Sequence, residues 1–277
     1  MEEGKIAIEG GPFNLRIWDT RLAISDRMVG TDTRAFPPSI SIMKKLRSTL
    51  AVFSSLFCFV AGASAADQGF VSIFNGKDLS GWKSNEENPD CFSVKNGELK
   101  VSGGRAHLFY MGADGDADFK NFELKMKVKT TKGANGGVYF HTKYQESGWP
   151  TQGFECQVNS THKDPKKTGS LYGVVNVLVL EKGKEPPAGS LENDIRKTAP
   201  STDGEWFDYR IKVAGKKITL KVNGETTVSW RQPKGFDPAT ALKNMPGRKL
   251  GSGTLALQGH DPKSTTYYKD IQLKITD

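Results

Sequence analysis

Cysteine and long apolar runs are scarce in this chain of 277 residues, and so is helix-forming pattern. Of the three cysteines, Cys58 lies near the start, which leaves Cys91 and Cys156 to the body of the chain. Two cysteines permit one bridge only if their Cα atoms come within about 7 Å, so a disulfide and two buried free thiols are equal alternatives. The apolar stretch Leu50–Ala61 is too short to cross a bilayer, and no later segment approaches spanning length, which excludes a transmembrane helix. Gly103-Gly104 and Gly136-Gly137 have no helix after them, which excludes a nucleotide-binding glycine loop, and no nucleophile-elbow pattern occurs. No internal repeat or low-complexity linker marks a second domain. The net charge is +8, but the cations are scattered. Lys120, Lys125, Lys127 and Lys129 fall on the polar side of an alternating stretch, the pattern of a solvated sheet face, so no nucleic-acid partner is expected.

What is present begins with an export signal. Met43-Lys44-Lys45-Leu46-Arg47 is basic, Leu50–Ala61 is apolar, and Ala63-Ser64-Ala65 gives the small residues of a cleavage site. The reading is residues 1–42 as an over-extended gene start, 43–65 as a signal peptide and 66–277 as one mature domain. Phe57 before Cys58 is too bulky for a lipoprotein site, so the expected product is exported without a lipid anchor, periplasmic or secreted.

The mature region alternates with a period of two. Phe122, Leu124, Met126 and Val128 face one way, with Glu123 and the lysines between them. Ile218, Leu220 and Val222 repeat the device before Asn223-Gly224, as do Ile271, Leu273 and Ile275. Asn96-Gly97 is a second hairpin signal. Only Asp237–Leu242 looks helical, with Asp237 as N-cap and Pro238 at the first position. Glu181–Gly204 and Gln232–Gly251 are long irregular excursions, of the kind that wall functional sites. The fold class is all-β, an antiparallel β-sandwich of two packed sheets.

One strand carries chemistry. In Phe154-Glu155-Cys156-Gln157-Val158, alternation sends Glu155 and Gln157 to the face opposite the apolar residues. A carboxylate beside a carboxamide offers acceptors and donors for sugar hydroxyls, and a candidate base. Trp149, just ahead, offers a flat face on which a pyranose can stack, whereas Trp82 and Trp206 are expected in the core. His107 and His162 are assigned no role.

Six segments in order complete the pattern: Phe70–Trp82, Gly136-Gly137-Val138-Tyr139-Phe140-His141, Gly148–Val158, Gly169-Ser170-Leu171-Tyr172-Gly173, Gly204–Ile211, and Leu255–Asp261 with Tyr268–Ile271. Together they resemble the 3-keto-disaccharide hydrolase family, from Phe70 to Ile275. The resemblance implies a jelly roll of the concanavalin A-like lectin and glucanase type, and a glycoside or oligosaccharide substrate whose glucose is oxidised at C3. Its functional positions would be Glu155, Gln157, Tyr172, Gln258 and His260. Many relatives carry an arginine where His141 stands, so whatever that arginine contacts is in doubt. A C3 ketone acidifies the C2 proton. A base can then form an enolate that expels the C1 substituent before water adds back. Glu155 or His260 serves as base, Tyr172 or His141 as donor, and Gln157, His141, Trp149, Gln258 and Asp261 as substrate contacts. The catalytic set is therefore Glu155, His260 and Tyr172. A two-carboxylate glycosidase would need Asp261 across the bond from Glu155. No cofactor is expected; His141, Glu155 and His260 are the set a divalent metal would use, without any ligand spacing to signal one. The alternative is a lectin-like module that binds sugar without cleaving it.

Overall fold

The computed structural model describes residues 68–276, and the start and signal segments 1–42 and 43–65 lie outside the described residues. Among the described residues fifteen strands and one short α-helix follow in order, with a 3₁₀ turn (Pro89–Cys91) between β2 and β3: β1 (Val71–Ser72), β2 (Trp82–Ser84), β3 (Phe92–Lys95), β4 (Glu98–Ser102), β5 (Ala106–Tyr110), β6 (Phe122–Thr130), β7 (Gly136–Thr142), β8 (Phe154–Val158), β9 (Val175–Val179), β10 (Glu192–Arg196), β11 (Phe207–Ala214), β12 (Lys217–Val222), β13 (Glu225–Arg231), α1 (Pro238–Ala241), β14 (Thr254–Gly259) and β15 (Thr265–Ile275).

The larger sheet runs β13-β12-β11-β6-β15-β4-β3, with β1 also on β15; the smaller runs β2-β5-β14-β7-β8. Both are antiparallel throughout. The result is an antiparallel jelly-roll sandwich of two packed sheets. A separate parallel pair joins β9, just ahead of the Glu181–Gly204 excursion, to β10 within it. Asn96-Gly97 and Asn223-Gly224 both turn at positive φ, as a two-residue hairpin loop requires. Asp237 caps α1 by accepting from the Ala239 amide at 3.0 Å.

Strand β6 alternates buried and half-buried residues along its whole length, so Phe122, Leu124, Met126 and Val128 fill the space between the sheets. Phe154 of β8 stacks on Phe140 of β7 at 5.3 Å and meets Trp230 of the larger sheet at 6.0 Å. Tyr209 of β11 reaches across the core and donates to the Gln157 carbonyl at 3.1 Å. The site strand is therefore pinned from beneath. Trp82 is buried and donates to the Ile73 carbonyl at 2.8 Å. Trp206 departs from expectation. It is half-buried, with Lys129 and Lys269 at 4.4 and 4.2 Å over its ring, because lysine stems cover apolar surface on the solvent side of a sheet. Cys91 and Cys156 are both free and buried. Among the described residues no helix is long and apolar enough to cross a membrane.

Candidate active site

The smaller sheet has two unlike faces. Phe154, Cys156 and Val158 enter the core, so Glu155 and Gln157 emerge on the outer face. The register places Tyr139 opposite Glu155, Gly137 opposite Gln157 and opposite Gln258, and His107 opposite Gln258. This face is nevertheless buried, because loops cover it; Glu155 is 6 % and Gln157 1 % exposed. A cavity of about 500 Å³ remains, with Tyr139, Glu155, Gln157 and Gln258 in its wall, joined by Trp149, Asp164, Tyr172, Arg248 and His260.

Three donors hold the Glu155 carboxylate. Tyr139 Oη donates to Oε2 at 2.8 Å, Arg248 Nη2 to Oε2 at 3.1 Å, and Gln258 Nε2 to Oε1 at 3.0 Å. Burial and the adjacent carboxylate push the Tyr139 phenol well up, which keeps it protonated as the donor. Arg248 also donates to the Gly153 carbonyl at 3.2 Å and lies 5.3 Å from the Tyr139 ring. Gly137 makes room for this array: a Cβ there would stand 2.9 Å from Glu155 Oε1 and 3.4 Å from Gln258 Oε1.

His260 enters from the end of β14. Its Nδ1 lies 2.9 Å from Asp261 Oδ2. A carboxylate only accepts, so Nδ1 carries the proton and neutral His260 has its lone pair on Nε2. Burial disfavours a charged Asp261, but hydrogen bonds from Ser264, His260 and the Lys263 amide outweigh it and hold the carboxyl below its usual range. Tyr172 contributes a phenol 3.4 Å from Asp164 Oδ2 and 3.4 Å from Lys166 Nζ. Burial first, then Asp164 and Glu155, raise its pKa, so the phenol stays protonated. Gln157 donates to Asn135 Oδ1 at 3.0 Å, leaving its buried Oε1 without a partner among the described residues.

Of the sequence-predicted residues, Glu155, His260, Tyr172, Gln157, Trp149 and Gln258 all line this cavity. Asp261 does not line it; it backs His260 instead. His141 is not brought there either. Between Thr254↔Thr142 and Leu255↔Phe140 the β7 strand has one residue too many, and that residue is His141, at φ +55. The bulge reverses the alternation that would have placed it beside Tyr139. Its ring packs on Phe140 at 5.1 Å and Phe122 at 5.9 Å. Nε2 lies 2.9 Å from the Lys120 carbonyl and Nδ1 accepts from the Gly251 amide at 3.3 Å, so both nitrogens serve the backbone. The ligand set His141, Glu155 and His260 is therefore not assembled, and among the described residues no three metal-ligating side chains converge.

Arg248, Tyr139, Asp164 and Asn135 were not foreseen. Tyr139 was legible from alternation, two residues before His141 on the same strand. Arg248 was not: it comes from the Gln232–Gly251 excursion. A guanidinium does reach the site, by another route than the strand position occupied by His141.

The fold, the cavity and the carboxylate–guanidinium pair can be set against known proteins. The model of the 3-keto-alpha-glucoside-1,2-lyase-like domain matches residues 69–274. A curated protein of Bacteroides thetaiotaomicron named 3-keto-disaccharide hydrolase is 33 % identical over 244 residues, covering 76 % of this chain and 79 % of its own. The chain belongs to the 3-keto-alpha-glucoside-1,2-lyase-like family. Membership makes it a glycoside-cleaving enzyme, and the Glu-x-Gln strand that carries Glu155 lies inside the matched region. Two solved structures from Parabacteroides distasonis, provisionally named glycosyl hydrolases, share the fold of this family member. They are 21 % and 22 % identical, with TM-scores of 0.56 and 0.54. They cover 78 % and 75 % of this chain and 98 % and 99 % of their own.

Proposed function

We propose that the chain is an exported enzyme that cleaves 3-keto-glycosides or 3-keto-disaccharides by base-initiated elimination followed by hydration. One observation carries the mechanistic part: His260, its Nδ1 occupied by Asp261, sits in the wall of the same cavity as the Glu155 array. Of the two candidate bases, Glu155 is the poorer. Its carboxylate already accepts three hydrogen bonds, one from a guanidinium, and a proton taken there would have to displace them. The neutral imidazole of His260 has a lone pair on Nε2 and a carboxylate behind it to stabilise the imidazolium that forms.

In this reading His260 takes the C2 proton, and the electron pair delocalises onto the C3 oxygen. Arg248 has further N–H donors beyond the two in use and stabilises that oxygen electrostatically inside a buried wall. The C1–O bond breaks with its electron pair on the leaving oxygen. Protonated Tyr172 supplies the proton that oxygen needs. Water then adds at C1 and gives its proton to the Tyr172 phenolate, the imidazolium returns a proton to C2, and the balance is hydrolysis. Gln157 and Trp149 hold the sugar, and Glu155 orients Arg248, Tyr139 and Gln258. The relative's printed name supports the keto-sugar substrate. The signal-like segment 43–65 supports export.

Purified protein incubated with 3-keto-sucrose in D₂O tests both halves. Cleavage with deuterium at C2, lost in His260→Gln, is the expected result. Cleavage without deuterium at C2 and without a kinetic isotope effect from C2-deuterated substrate refutes elimination, and absence of cleavage refutes the substrate class.

A further inference from the structure

Beside the cavity wall, four side-chain atoms are buried without a hydrogen-bond partner among the described residues: Asn85 Nδ2, His107 Nδ1, His107 Nε2 and Gln258 Oε1. Their residues are 1 %, 0 % and 2 % exposed. They are neighbours by construction of the sheet. Gln258 stands opposite His107 across the β14–β5 ladder. Asn85 continues β2 alongside β5, donating its amide to the His107 carbonyl at 2.9 Å and accepting the His107 amide on Oδ1 at 3.1 Å. Native proteins rarely leave such a cluster unsatisfied, since each buried orphan costs stability, and a group of them calls for an explanation.

Trp149 covers the cluster. Its ring meets His107 edge-on at 5.7 Å and lies 5.4 Å from the His260 ring and 5.3 Å from the Arg105 guanidinium, while the residue as a whole is 41 % exposed. The chain just before it is fixed: the Gly148 amide donates to Glu87 Oε2 at 3.0 Å, while Glu87 Oε1 accepts from Arg105 Nε and Nη2 at 2.8 and 2.5 Å. With the backbone anchored, uncovering His107 requires only a rotation of the Trp149 side chain off its contacts with His107, His260 and Arg105. Because Trp149 and Gln258 both belong to the cavity wall, a displaced indole would extend the cavity onto His107 and Asn85.

The chemistry of the uncovered surface is specific. Asn85 offers an amide donor and Gln258 a carbonyl acceptor. Burial pushes the His107 pKa down to about 3, so the ring is neutral and offers one donor and one acceptor. Two donors and two acceptors without net charge complement adjacent hydroxyls, each of which both gives and accepts a hydrogen bond. We propose that the Trp149 indole swings off His107 when substrate enters, and that Asn85, His107 and Gln258 form a subsite for two neighbouring hydroxyls of an uncharged sugar. This deepens the glycoside-cleaving reading above and rests on it.

Imidazole ¹⁵N spectra of the full-length protein test the subsite without altering it. The His260→Gln variant saturated with 3-keto-sucrose, compared with the same variant free of sugar, is expected to show shifted His107 nitrogens and a changed Trp149 emission, the latter identified by its loss when Trp149→Phe is added. In the otherwise native enzyme, His107→Leu is expected to raise KM for 3-keto-sucrose at least tenfold, with kcat within threefold and a raised melting temperature. Native enzyme that cleaves 3-keto-sucrose, while His107 stays unshifted in the saturated complex, overturns the subsite and leaves the function standing. An unchanged KM together with a lowered melting temperature in His107→Leu also overturns it, since ordered water would then be the only occupant. A native enzyme that neither binds nor cleaves 3-keto-sucrose overturns the functional reading, and the subsite with it.

Discussion

Replacing Arg248 with methionine isolates the central electrostatic pair. The guanidinium and the Glu155 carboxylate lie 3.1 Å apart, with side chains only 8 % and 7 % exposed, so solvent screens them little. Arg248→Met keeps much of the aliphatic stem but leaves a buried carboxylate whose remaining donors are the neutral Tyr139 and Gln258. Breaking a buried pair from one side costs about 3–5 kcal/mol, because the surviving charge is uncompensated. Two neutral donors remain, so the lower end applies, about 3 kcal/mol. For a domain of this size each kcal/mol moves the melting temperature by about 2–4 °C, which predicts a drop of about 6–12 °C. Glu155→Gln alone strands the guanidinium and should cost a similar amount. The double variant has no buried charge left at this place and should recover most of the loss. Urea unfolding of the four proteins then yields a coupling of at least about 2 kcal/mol. A double variant as unstable as the two losses added together, with coupling under about 0.5 kcal/mol, would refute the claim that these two groups compensate one another.

Three further outcomes follow from the geometry. Gly137→Ala places a methyl 2.9 Å from Glu155 Oε1 at a position without positive φ. The strand should survive while kcat/KM for 3-keto-sucrose falls by about 10–100-fold, given how steeply rate depends on placement; unchanged kinetics would show that the carboxylate need not sit where it does. Acid stability should report His107. The folded ring takes its proton near pH 3 and the unfolded ring near about 6.5, so below pH 6.5 the unfolded chain binds the extra proton and stability falls with acid. His107→Leu should flatten that slope by up to about 1.4 kcal/mol per pH unit between pH 6 and 4, and parallel curves would refute it. Finally, Cys91 and Cys156 are free and buried, and burial pushes both thiols up. A reductant should therefore leave the melting temperature unmoved, and a thiol reagent should reach Cys91 and Cys156 only after unfolding; a melting temperature lowered by reductant would reveal a bridge.

The parts of this protein that were legible in advance are those whose cause is local. Two-residue periodicity fixes which side chains of β6 enter the core, and Asn-Gly fixes two hairpins. Glu155 and Gln157 share a face because they are two residues apart. His260 and Asp261 are adjacent in the chain, and the short reach between them makes their hydrogen bond nearly a local event. His141 failed the same logic for a physical reason. Alternation holds only while the two strands keep step, and a single extra residue on β7 inverts everything that depends on it. The glycines reveal the constraint afterwards: a side chain at Gly153 or Gly253 would strike the backbone at His141, so the bulge is packed from both sides. Nothing in the spacing of Gly136–His141 announces this, since the missing step is defined only against Thr254 and Leu255 on another strand.

Arg248 was hidden more deeply, and its placement shows what a local reading omits. The excursion that carries it is fastened by backbone: the Gly153 amide donates to the Gly247 carbonyl at 3.1 Å, and a side chain at Gly247 would collide with the Thr151 backbone. Contact that close needs a glycine in the loop and another in the approach to β8, ninety-four residues apart in sequence. Once the backbones touch, the next residue along, Arg248, has little choice but to extend over Gly153 toward Glu155. The site arginine is thus specified less by its own codon than by the missing side chain of its neighbour, and enlarging Gly247 should withdraw the guanidinium even with Arg248 intact. Gly247→Val with Arg248 retained is therefore expected to reproduce the stability loss of Arg248→Met, and a variant that keeps wild-type stability would show that the guanidinium finds Glu155 by some other constraint.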